Sequence, residues 1–125
     1  MAIFQQTLEK LQHFTLLATT TITGTGNQAG VDLLDYDGDI QIILSGTAAG
    51  VGHDLTFRIE ESDDNSTFTA AAGGTFTAIG NAAYKEVKTL NRDELKRYVR
   101  LSCTAETGTA SSAVTCFGYG LKKYG

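Results

Sequence analysis

Three aspartates alternate in Asp35-x-Asp37-x-Asp39, beside Gly38. Alternate carboxylates of this kind open a calcium loop, which also needs glycine after its third ligand and glutamate at its twelfth position. Those places hold Ile40 and Gly46, so the run reads as a solvated turn leading into a strand. Asp63, Asp64 and Asn65 read as hairpin-turn chemistry, because such side chains bond their own backbone. Glu60 and Glu61 are neighbours on a predicted strand, so they point to opposite faces and cannot share a proton. His13 and His53 have no Cys, His or carboxylate at zinc spacing. Ser45 and Ser62 sit in no G-x-S-x-G elbow. The Gly24–Gly30 loop, GTGNQAG, lacks G-x-G-x-x-G spacing and opens no helix. The reading is therefore a protein that is not an enzyme, with no catalytic residues, no metal and no cofactor.

The elements that would hold these residues are strands. Ile40, Ile42 and Leu44 alternate with Gln41, Ile43 and Ser45; Leu55, Phe57 and Ile59 alternate with Thr56, Arg58 and Glu60. Val99, Leu101 and Cys103 alternate with Tyr98, Arg100 and Ser102. A period of two is the signature of a half-buried strand. Further strands are predicted over 15–23, 31–34, 67–71, 75–79, 84–90 and 113–121, with a capped turn or one short helix over 91–96. Arg100 falls on the solvent side, where truncation is expected to cost about 1 kcal/mol or less. Cys103 and Cys116 are expected nearly opposite each other in a hairpin around Gly108–Thr109, facing the core as free thiols. Residues 2–14 differ in texture. Phe4, Leu8 and Leu11 recur at i, i+4 and i+7, which predicts a short helix or an arm.

About eight strands at roughly ten-residue spacing make an all-β sandwich. Jelly-roll order is the first expectation and an immunoglobulin-like order the alternative. The domain division is 1–14 as arm or short helix and 15–125 as sandwich. Composition agrees: 125 residues suffice for one core, and the chain holds 18 threonines and 14 glycines but no proline. The net charge of −4 argues against nucleic acid as a partner, and no run is long and apolar enough for a membrane span. Residues 1–18 lack the basic and apolar regions of a secretion signal. Charge is uneven along the chain: residues 31–64 are net −8 and residues 85–125 net +4. If these stretches lie on different flanks, they can steer copies head to tail.

Two stretches carry a resemblance. One is Phe57–Phe68, FRIEESDDNSTF; the other is Lys96–Thr104, KRYVRLSCT. Together with the Tyr36–Gly38 turn ahead of an apolar strand, they resemble the small β-sandwich decoration, or cement, proteins of tailed-phage heads. The same stretches are similar to parts of discoidin-type carbohydrate-binding jelly rolls. There the pattern has glycine where Asn65 stands and tryptophan where Phe68 stands, and this chain is shorter and lacks proline. These departures favour the phage resemblance. It implies a structural virion protein that binds the outer capsid surface and stabilises it, assembled in the host cytoplasm. Its partners would be the major capsid protein and itself, as a homotrimer. A minor tail or baseplate sandwich is the further alternative. The implied contacts are Ile3, Phe4, Leu8, Leu11 and Phe14 on the arm, with Asp35, Asp37, Arg92, Lys96 and Arg97 on the body.

Overall fold

The computed structural model describes residues 11–122. Nine strands are present among them: β1 (Leu11–Ile22), β2 (Gly26–Asn27), β3 (Val31–Asp32), β4 (Tyr36–Gly46), β5 (Asp54–Ser62), β6 (Thr69–Thr75), β7 (Tyr84–Asn91), β8 (Tyr98–Thr107) and β9 (Ser112–Lys122). A 3-10 turn over Arg92–Glu94 joins β7 to β8, and the Asn91 side chain caps it by accepting from the Asp93 N–H. The alternating apolar residues set the inner faces. Ile40, Ile42, Leu44, Leu55, Ile59, Val99 and Leu101 are all fully buried between two sheets.

The sheets run β1-β9-β4-β7 and β2-β8-β5-β6, with β3 beside β2 on β8. All pairs are antiparallel: β1 with β9, β2 and β3 with β8, β4 with β7, and β5 with β6. Taking β2 and β3 as one interrupted strand, the first pairs with the last, the second with the next to last, and so inward. A long antiparallel hairpin rolled over once gives this nesting, which is jelly-roll order. The immunoglobulin-like alternative is excluded by the same pairings.

Three details depart from the sequence reading. Leu11 and Phe14 belong to β1, paired with Leu121 and Gly118, so residues 11–14 are strand and not the end of a helix. The reason is local: the Phe14 ring packs on Tyr36 at 5.2 Å between centroids, in the space left by the bare Gly118. The predicted strand 67–71 falls in β6, which runs on through Gly73 and Gly74 to Thr75, whereas residues 76–78 of the predicted strand 75–79 are not strand. Beyond β6, Ile79 makes an isolated bridge to Leu55, its N–H donating to the Leu55 C=O at 2.8 Å. Finally, β8 and β9 lie in different sheets, so Cys103 and Cys116 are not hairpin neighbours. Both are buried free thiols. Ile3, Phe4 and Leu8 lie outside the described residues.

Candidate functional site

The outer face of the β5–β8 sheet is built on an ion cluster. Glu60 on β5 stands opposite Arg100 on β8, and Arg58 lies two residues away on the same face. The Glu60 carboxylate accepts from Arg58 Nε and Nη2 at 2.9 and 2.6 Å, and from Arg100 Nε at 2.8 Å. Its side chain is only 6% exposed. Burial works to raise its pKa, but the hydrogen bonds from the two guanidiniums outweigh burial and hold it below the usual carboxylate range. Arg100 also lies over the Phe68 ring, 4.0 Å from its centroid. Arg100 is thus a paired, half-buried residue, and the expectation of a tolerant solvent position is corrected. The R-x-E spacing of Arg58 and Glu60 was visible in the sequence; the Arg100 contact depends on the β5–β8 register.

The predicted body contacts gather at one end of the sandwich. Arg97 forks onto Asp32 through Nε and Nη2 at 3.0 and 2.8 Å. Arg92 donates to the Leu33 and Leu95 carbonyls, pinning the β3–β4 turn to the β7–β8 connection. Lys96 Nζ lies 3.9 Å from Asp63, and its N–H donates to Glu61. Asp37 accepts from the Gly38 N–H in the turn that Asp35 precedes. Acidic and basic stretches therefore meet inside one molecule, through Asp32–Arg97, Glu60–Arg100 and Asp63–Lys96. The expectation that they occupy separate flanks and steer a head-to-tail ring is corrected by these pairs. Among the described residues no three His, Cys, Asp or Glu side chains gather as a metal site. Asp64, beside Asp63, is occupied as a turn group: it accepts from the Thr67 N–H, the Ser62 hydroxyl and the Ser66 N–H. Those bonds hold it at about 2.

The outer face of the other sheet has a different chemistry. Register puts Val87, Ile43, Phe117 and Thr15 in one row across four strands. The adjacent row is Thr89, Gln41, Tyr119 and His13. Neither row contains Asp, Glu, Lys or Arg. Val87 is 48% exposed, and Leu11, at the β1 margin, is 46% exposed. His13, Phe117 and Tyr119 form a ring cluster with centroids 5.5 to 5.7 Å apart and planes tilted by 41 to 88°. No two of these rings share a plane, so they do not make a flat stacking platform. The signal for this face was the second alternation in β9. Val114 and Cys116 point inward, while Phe117, Tyr119 and Leu121 make the outward positions apolar too.

These two faces frame the comparisons. No protein-family model and no curated protein sequence matches this chain. Several solved structures share its architecture. The SPBc2 prophage-derived protein YomS aligns with a TM-score of 0.56 at 12% identity, over 88% of this chain and 93% of YomS. The fold is one that phage-derived proteins use. The PBSX exported protein XepA aligns with a TM-score of 0.52 at 20% identity, over 89% of this chain and 37% of XepA. A protein of infectious bursal disease virus, Gx strain, aligns at 0.55 with 13% identity, over 91% of this chain and 32% of that one. The chain thus spans about a third of the length of the last two. It corresponds to nearly all of YomS.

Proposed function

We propose that this protein is a structural component of a phage particle that attaches to the outside of the capsid shell and stabilises it. The observation that carries this reading is the near end-to-end correspondence with YomS, a prophage-derived protein built from the same single sandwich. The recurrence of that sandwich in infectious bursal disease virus supports it. The site chemistry agrees. Glu60, Asp32 and Asp64 are engaged in ion pairs and turn bonds that hold the fold. They are committed to structure, as suits a protein whose task is adhesion and not turnover.

In this reading the partner is the major capsid protein, and many weak contacts on a repeating shell add through avidity. The segment ahead of β1 contributes to attachment. Asp35, Asp37, Arg92, Lys96 and Arg97, at one end of the sandwich, are the body positions proposed to meet the shell. The head-to-tail trimer loses its electrostatic motive. Quantitative mass spectrometry of purified virions tests the reading. A capsid-surface protein is present at a copy number comparable to the shell's symmetry positions. A tail or baseplate sandwich is present at a few copies, and absence from the particle contradicts both.

A further inference from the structure

We propose that the outer face of the β1-β9-β4-β7 sheet is an interface between two copies of this chain, packed sheet on sheet. The inference goes beyond the capsid reading and stands or falls without it.

The two outer faces differ in chemistry. The outer face of the β5–β8 sheet is charged and internally paired around Glu60, whereas the two central rows of the opposite face carry no formal charge. Val87, Ile43 and Phe117 run side by side across three of its strands. None of the described residues covers Val87, which is 48% exposed. Uncharged apolar patches rimmed by polar groups mark contact surfaces.

A second copy is the occupant that this arrangement suits. A two-fold axis along the strands, midway between β4 and β9, places Ile43 of one copy against Phe117 of the other. The same rotation returns the second Ile43–Phe117 contact, which is the self-complementarity an isologous interface needs. Val87 then meets Thr15 of the other copy. Lys85, which pairs with Ser45 at the β7 margin, is carried to the opposite margin, so like charges do not face each other. Aligned sheets pack this way in the core of any sandwich. The extent lies near the lower bound for a specific interface. Four strands about 4.8 Å apart and about six residues deep cover ~400 Å² in projection. Two such faces, with side-chain relief, approach the ~1,000 Å² of a specific interface.

Sedimentation velocity of the full chain over a wide range of concentration tests this. The wild type should sediment as a dimer. Val87→Lys, at an exposed position that leaves the core intact, should raise the dissociation constant about tenfold or more, and Ile43→Lys should do the same. Val51→Lys removes an exposed apolar side chain from a turn away from this face, where Val51 is 79% exposed, and should leave the dimer unchanged. A wild type that is monomeric at every concentration overturns the proposal. So does a dimer that Val87→Lys and Ile43→Lys leave intact. A monomeric wild type whose capsid attachment is lost in Val87→Lys also overturns it, by assigning the face to the shell.

Discussion

The Glu60 carboxylate accepts from Arg100 Nε at 2.8 Å across the β5–β8 ladder. The pair joins the acidic half of the chain to the basic half, and it does so where water is mostly excluded. Removing one partner leaves the other charge uncompensated, which costs more than a surface pair is worth. Arg58 remains to satisfy part of Glu60, and its own side chain is 38% exposed, so the cost is moderated. Arg100→Ala should destabilise the fold by about 2 kcal/mol, through the lost ion pair and the lost contact with Phe68. Glu60→Ala should cost a similar ~2 kcal/mol. The double variant should cost less than the sum by about 1 kcal/mol, because both single changes break one interaction. Urea unfolding of the four proteins measures this; strict additivity would mean that the pair is not coupled.

Acid should unfold the protein through its depressed carboxylates. Burial works to raise the Glu86 pKa, but hydrogen bonds from Tyr84 and the Thr77 N–H, with Lys88, bring it from the ordinary 4.5 to about 2. Asp64 is likewise held at about 2, from 3.8. A carboxylate with a lowered folded-state pKa stabilises fully above its unfolded value, and that contribution is lost as pH falls through the folded value. Unfolding free energy should therefore be nearly level down to about pH 5 and fall steeply below it. Glu86→Gln should flatten the slope of that fall. Stability that rises on acidification would contradict the assignment.

Gly118 should resist substitution. A Cβ there would come within 2.3 Å of the Phe14 ring, which has Tyr36 beside it. Gly118→Ala should cost about 1–3 kcal/mol as an overpacked core position. Gly26→Ala, whose Cβ meets nothing within 4 Å, should stay within about 0.5 kcal/mol of wild type. Thermal unfolding of the two variants separates these outcomes. Equal melting temperatures would mean that Phe14 has room to move.

The inner faces were legible because Ile40, Ile42 and Leu44, like Leu55, Phe57 and Ile59, repeat at a period of two that no helix matches. The strand order was narrower than sequence could decide, since β1 pairs with β9 about a hundred residues away and local patterns do not encode that. Residues 11–14 show the same limit. Phe4, Leu8 and Leu11 satisfy a helical period, while Phe14 and Leu16 satisfy a strand period. The choice is made by Gly118 and Tyr36, which accept Phe14. The uncharged face was half visible. Ile43 was an apolar residue on the outward side of β4, but Val87 and Phe117 become its neighbours only through the β4–β7 and β4–β9 registers. In the same way, the separation of the charged stretches seen along the chain disappears once Asp32 meets Arg97.

The central claim is that this sandwich attaches to a capsid shell. Co-sedimentation of the purified full chain with mature capsids that lack it is the direct measurement. The protein should pellet with the shells, saturate at a fixed number of copies per particle, and raise the temperature at which the shells open. Failure to pellet with any mature capsid at concentrations that saturate other shell proteins would contradict the claim.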